Sequence, residues 1–199
     1  MPKIVDHEQR RQLIVDGMWK IVQRDGFKAV SVRSVAAEVG LSKSTIAHYF
    51  NSQDEILAVA VQQQIEVNNR QFPALDMRSC TPEIAVKAML VAIPTTPKQR
   101  RQSQVWLALL EHSGSSAQIA ETLAYLNSEI RAALGVLLNA LAQNGYVAQG
   151  RDLDAEVVKL HGLIDGLSVQ SLTDPKGTSP SSIAKAVALA VADLGSSPS

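Results

Sequence analysis

Residues 31–50 read Ser31-Val-Arg-Ser-Val-Ala-Ala-Glu-Val-Gly40-Leu-Ser-Lys-Ser-Thr-Ile-Ala-His-Tyr-Phe50. Ser31 offers an N-cap, after which Val32, Val35, Ala36 and Val39 recur at helical spacing until Gly40 stops the run. Ser42 then opens a second short helix that should reach about Tyr49. Ile46 and Phe50, four residues apart, anchor its inner face, and Lys43, Ser44, Ala47 and His48 fall on the outer one. Two short helices joined by the turn Val39-Gly40-Leu41-Ser42 make a helix-turn-helix pattern, whose second helix stands out from its bundle and can enter a major groove. Lysine donates to guanine edges and serine donates or accepts, so Lys43 and Ser44 suit base readout. Thr45, His48 and Tyr49 suit phosphates, and Arg33 suits either. With Ser42 at the helix start, these seven form the expected DNA-binding set.

Outward from this stretch the periodicity is helical almost everywhere. A first helix is expected from about Asp6 to Arg24, with Ile14, Met18, Ile21 and Val22 on one stripe and Gly26 as its stop. Ser52 caps a fourth helix, with Glu55 three residues on for a capping box, continuing to about Gln71 before Phe72-Pro73. Thr81-Pro82-Glu83 starts a fifth that runs to about Ile93, and Pro94-Thr-Thr-Pro97 breaks it. A sixth spans about Lys98 to His112. The seventh, about Ser116 to Gln143, would extend roughly 40 Å at 1.5 Å per residue. An eighth spans about Asp152 to Thr173, and a ninth runs from Ser179-Pro180 to about Leu194. The tail from Gly195 to Ser199 is expected to be disordered. The fold class is therefore all-α, about nine helices, with residues 1–52 as a helix-turn-helix head and 53–199 as a larger helical domain.

Composition agrees. The 199 residues are 46% apolar and only 4% aromatic, which excludes a disordered chain and disfavours an aromatic-rich β-sandwich. A single cysteine, Cys80, excludes a disulfide scaffold and a thiolate zinc cluster, and points to a reducing, cytoplasmic setting. No signal peptide or membrane span is expected, because the N-terminus is charged and no apolar run approaches the required length. Nineteen basic residues balance nineteen acidic ones, yet residues 1–50 hold eight basic against five acidic. The basic excess thus sits on the segment expected to meet nucleic acid.

The wording of the segment is more specific than its pattern. Gly26-Phe27, Ser31-Val-Arg-Ser-Val-Ala36, Gly40-Leu-Ser-Lys-Ser-Thr-Ile-Ala-His-Tyr-Phe50 and Asp54-Glu-Ile-Leu57 together resemble the TetR family of one-component regulators, over about residues 8–60. The resemblance implies a homodimeric repressor that reads a pseudo-palindromic double-stranded operator, and a C-terminal domain that holds a small-molecule effector. By position, Lys43 and Ser44 look like base contacts, and Thr45, His48 and Tyr49 like phosphate contacts. Ala47 stands where the family often has an aromatic ring, and Gln53 where a lysine commonly holds a phosphate. Arg100-Arg101, Val105-Trp-Leu-Ala108 and Leu163-Ile-Asp-Gly-Leu167 are similar to the BetI-like branch, which implies a cavity framed by the sixth to eighth helices without fixing its effector.

From the residues themselves, Met89, Trp106, Leu110, His112, Tyr125 and His161 are the candidate effector contacts. Trp106 and Tyr125 offer stacking or cation–π surface. The plainer readings are that Trp106 is core packing and each histidine is satisfied by a backbone carbonyl. Val157, Leu160, Ile164 and Leu167 on the eighth helix, and Ile183, Val187 and Val191 on the ninth, suggest a four-helix contact across a two-fold axis; packing within one chain is the alternative. Neither a catalytic constellation nor a cofactor or metal motif is present, since the four histidines are scattered and no nucleophile motif or phosphate loop occurs. Besides the regulator, one reading stays open: a helical binding module whose head has lost its hold on DNA.

Overall fold

A computed structural model describes residues 7–71 and 79–197, with side chains between 64 and 71 left aside. Asp6, Phe72-Pro73 and the last two tail residues lie outside it. Nine helices occur among the described residues: α1 (His7–Asp25), α2 (Val32–Glu38), α3 (Lys43–Ala47), α4 (Gln53–Gln71), α5 (Pro82–Val91), α6 (Pro97–His112), α7 (Ala117–Gln143), α8 (Leu153–Thr173) and α9 (Pro180–Asp193). They contain no strand. The boundaries follow the capping residues. Ser31, Ser42, Thr81, Asp152 and Ser179 each accept a first-turn N–H, filling donors that a helix start leaves open. Proline follows Thr81 and Ser179 at the first helical position, where its missing N–H costs nothing.

Three details differ from expectation. A 3₁₀ turn, Phe27–Ala29, intervenes after Gly26. Helix α3 ends at Ala47 rather than Tyr49, because His48 and Tyr49 donate to Thr45 and Ile46, three residues back, and tighten the last turn. Glu55 reaches past Ser52 to the backbone N–H of Asn51 at 2.7 Å, so only the Ser52 arm of the expected capping box forms.

The chain divides into two compact units: one takes the chain up to Glu66 together with Arg101–Tyr125, the other Val67–Arg100 together with Leu126 onward. In the first, Ile14, Val15, Met18, Ile21 and Val22 of α1 are buried, as are Val35 and Ala36 of α2 and Ile46 of α3. At Gly17, α1 runs against the end of α2, and a Cβ there would collide with Val39 Cγ1. Gly40 adopts φ +66°, a left-handed conformation that lets the chain turn into α3. Arg101 of α6 donates to the Gln23 carbonyl near the end of α1 at 2.6 Å.

In the second unit, α5, α7, α8 and α9 pack around Met89, Ile93, Leu137, Leu138, Leu141, Leu160, Ile183 and Val187. Arg100 donates to Ser171 Oγ at 3.2 Å, and that hydroxyl donates to the Pro94 carbonyl. Arg151 gathers Glu156 (2.5 Å), Asp193 and the Ser196 carbonyl, and Lys159 joins Asp193 at 2.9 Å. This clasp holds Gly195 and Ser196, which corrects the expected disorder for that part of the tail: Ser196 also donates to the Asp193 carbonyl.

Gly17→Ala gains helix propensity of about 0.5–1 kcal/mol but must push Val39 aside, at a cost of about 1–3. The net outcome is a lower unfolding midpoint in a thermal melt. Lys159, and then Arg151, hold the Asp193 carboxyl below its ordinary 3.8. Its stabilisation is therefore complete above that ordinary value and is lost as pH falls through the folded one. Asp193→Asn should flatten the acid limb of a stability–pH curve and leave the neutral region's slope unchanged.

Candidate nucleic-acid interface

Helix α3 is five residues long, too short to persist without tertiary support. Its support is one-sided. Ile46 is fully buried and Phe50 nearly so, while Lys43, Ser44, Ala47 and His48 are exposed. Ser42 accepts the Thr45 N–H at 3.0 Å, and its hydroxyl meets those of Ser44 (2.7 Å) and Thr45 (2.8 Å). The three hydroxyls form a chain at the helix N-terminus. At the N-terminus of α2, Ser31 and Ser34 cap each other reciprocally, and Arg33 between them is exposed.

The structure brings six of the seven expected DNA-facing residues onto α3 and its ends: Ser42, Lys43, Ser44, Thr45, His48 and Tyr49. Arg33 lies at the start of α2. Among the described residues, Arg33, Lys43 and His48 form no ion pair. Other cations of the head are engaged: Arg24 pairs with Asp25 and Glu38, each at 2.9 Å, and Arg11 with Glu55 at 3.5 Å. Tyr49 is half-buried, and its ring lies 5.3 Å from that of His7, tilted by 48°. Sequence reasoning passed over Arg11, whose partners are 38 and 44 residues away, separations no local pattern signals.

The expected effector residues divide between the units. Trp106 is half-buried in the first unit, where Leu110 and Tyr125 keep 42% and 43% of their surface. His112 there places Nδ1 2.8 Å from the Ala108 carbonyl, the backbone-satisfied arrangement. In the second unit Met89 belongs to the apolar core. His161 is the opposite of His112: it is buried, and its Nε2 has no hydrogen-bond partner. Asp165 Oδ2 stands 3.6 Å from that nitrogen. Burial raises the Asp165 carboxyl above its ordinary value, and His161 opposes the shift.

The seven residues expected at a dimer contact lie together in the second unit. Val157, Leu160, Ile164, Leu167, Ile183, Val187 and Val191 are all buried in the chain's own apolar core, so within-chain packing, the alternative reading, accounts for them. The apolar surface left on these two helices belongs to their neighbours Val158 (65% exposed) and Leu189 (62%), with small residues such as Ala155, Gly162, Gly166, Ala188 and Ala192 beside them. No described helix is long and apolar enough to cross a membrane.

A helix-turn-helix whose second helix is open to solvent, followed by a larger all-helical part, is the build of a DNA-binding regulator. Residues 14–60 match the family described as bacterial regulatory proteins, tetR family, and residues 83–196 match the BetI-type transcriptional repressor, C-terminal family. The chain belongs to the TetR family of transcriptional regulators, which are not enzymes. It is 30% identical to the HTH-type transcriptional regulator PksA of Bacillus subtilis, over 88% of this chain and 84% of that one. It is 26% identical to the regulator BetI of Rhizobium meliloti, over 95% and 89%. Among solved structures, a transcriptional regulator from Rhodococcus sp. Rha1 has the same fold (TM-score 0.78, 19% identity, 94% and 99% covered). So has a regulator from Saccharomonospora viridis solved in complex with choline (TM-score 0.76, 24% identity, 90% and 94% covered).

The cap of α3 is testable without DNA. Ser42→Ala removes the acceptor for the Thr45 N–H and should cost about 1 kcal/mol of stability in a denaturant titration. An unchanged midpoint would show that α3 is held entirely from its buried side.

Proposed function

We propose that the chain is a one-component repressor that binds a pseudo-palindromic operator as a homodimer and leaves it when a small molecule binds. One observation carries the reading: α3 buries Ile46 and Phe50 while presenting Lys43, Ser44 and His48 to solvent, with Arg33 also exposed and uncommitted. On this reading residues 1–52 are the DNA-binding head and 53–199 the effector and dimer domain. Lys43 and Ser44 read bases. Arg33, Ser42, Thr45, His48 and Tyr49 hold the backbone. Two such heads place their α3 helices in successive major grooves about 34–36 Å apart. The chain acts in the cytoplasm, where its operator is.

Exposed Val158 and Leu189, beside small residues that allow close helix approach, support a two-fold contact through the outer faces of α8 and α9. In the first unit, the remaining surface of Trp106, Leu110 and Tyr125 supports an effector contact there, and in the second, the unfilled nitrogen of His161 does. The choline complex of the Saccharomonospora relative agrees with a small ligand in proteins of this build. Helix α4 joins head to effector domain and is the proposed lever. By linkage, an effector that weakens operator binding is itself held less tightly by the DNA-bound form, with coupling of about 1–3 kcal/mol.

The test begins with a duplex selected from random sequence by the wild-type chain. Lys43→Ala should stay a folded dimer and lose about 1–3 kcal/mol of affinity for that duplex. Wild-type affinity should fall linearly with log salt. Val158→Glu combined with Leu189→Glu should give monomers in sedimentation and weaken binding further. Tight, salt-insensitive binding by Lys43→Ala would remove the recognition-helix assignment.

A further inference from the structure

The end of α3 is held from outside by one side chain. Arg11 of α1 donates from Nη1 to the Tyr49 carbonyl, just beyond the last residue of α3. Its guanidinium carbon lies 4.2 Å from the centre of the Phe50 ring. Its Nη2 stands 3.5 Å from Glu55 Oε1, while Oε2 of the same carboxylate accepts from the Asn51 backbone N–H (2.7 Å) and side-chain amide (3.0 Å). One planar cation thus joins the first helix, the exit of the third and the start of the fourth. We propose that Arg11 is the positioning residue of the recognition helix, fixing the pitch of α3 through the Tyr49 carbonyl and the Phe50 ring.

The length of α3 makes its ends decisive. With five residues, α3 has more unsatisfied terminal groups than internal hydrogen bonds, so its direction is set by what grips its ends. Ser42 grips the start, and Ile46 and Phe50 grip one side. Those anchors leave a rocking motion about the buried line, which a hydrogen bond at the exit removes. A cation there also meets the negative end of the helix dipole. Only arginine has the fork and flat face to serve a carbonyl, a ring and a carboxylate together; lysine carries a single point of donation. The half-buried Arg11 has its charge shared with Glu55, so its action on DNA is indirect. The inference rests on the DNA-binding reading above for its consequence, but not for its geometry.

Full-length wild type and Arg11→Met are compared by hydrogen exchange and by duplex binding. Arg11→Met should speed exchange of the Ile46, Tyr49 and Phe50 amides about tenfold and leave those of Val35 and Val39 in α2 nearly unchanged. It should weaken binding to the wild-type-selected duplex about tenfold without changing the salt slope. Equal acceleration throughout the head would make Arg11 a general structural residue and overturn the proposal. So would unaltered α3 exchange. A salt slope shallower by about one ion would overturn it too, by making Arg11 a direct phosphate contact. If the wild type selects no duplex, the DNA-binding reading fails while the exchange result still decides the clamp. Should Arg11→Met fail to fold, Arg11→Lys keeps the charge without the fork and gives the same comparison in milder form.

Discussion

Ile46 is fully buried while Ser44 and Ala47, on either side of the same short helix, are open to solvent. That asymmetry is the constraint on which the rest depends. Burying a large aliphatic side chain removes it from water for roughly 1.5–3 kcal/mol, and here that burial is what holds a five-residue helix that would melt alone. A longer recognition helix would need less help, but would carry its own stability wherever it went. A short one can only point where its surroundings direct it. Head packing and readout geometry are therefore the same physical problem, and side chains far from any base share in solving it.

The second unit uses a different economy of interactions. Its core is aliphatic, drawn from α5, α7, α8 and α9, and four of its charged groups, Arg151, Lys159, Glu156 and Asp193, meet in a clasp at one place. The clasp joins the start of α8 to the end of α9, so the two helices that would offer a two-fold face are first bound to one another. Because the inward stripe of each packs into this core, the apolar surface left on their outer faces is narrow and built from small residues around Val158 and Leu189. Close backbone approach, rather than a broad apolar seam, is what such a surface favours.

Helix positions and ends were legible because their signals are local. Serine, threonine and aspartate caps, first-turn prolines and turn glycines act within a few residues, and each appears at its boundary. The outward face of α3 was legible for the same reason: Ile46 and Phe50 fix which way the helix turns. For the residues expected at a dimer contact the pattern was ambiguous, because periodicity reports that a stripe is buried, not whether it is buried by its own chain or another. Leu160 and Val187 satisfy both descriptions equally until the core is seen. Arg11 was illegible because its three partners are brought to it by the fold, and the i, i+4 spacing of His161 and Asp165 says nothing at sequence level about a ring nitrogen left without a hydrogen-bond partner.

The distribution of charge bears on how such a regulator would let go. The chain is neutral overall, and two of the head's cations are committed to internal partners: Arg24 to Asp25 and Glu38, Arg11 to Glu55. Those left uncommitted on the proposed contact surface, Arg33 and Lys43, are few, and Gln53 replaces a possible further one. Each phosphate neutralised by a cation adds affinity through released counterions, so two free cations on the proposed contact surface contribute a modest electrostatic term. Specific contacts and correct orientation of α3 must then supply a larger share of the binding. Orientation is the share that a conformational change removes most readily, since tilting a helix breaks several base contacts together while leaving diffuse attraction intact. On the proposed reading, a ligand that contributes only a few kcal/mol of coupling would then suffice for release.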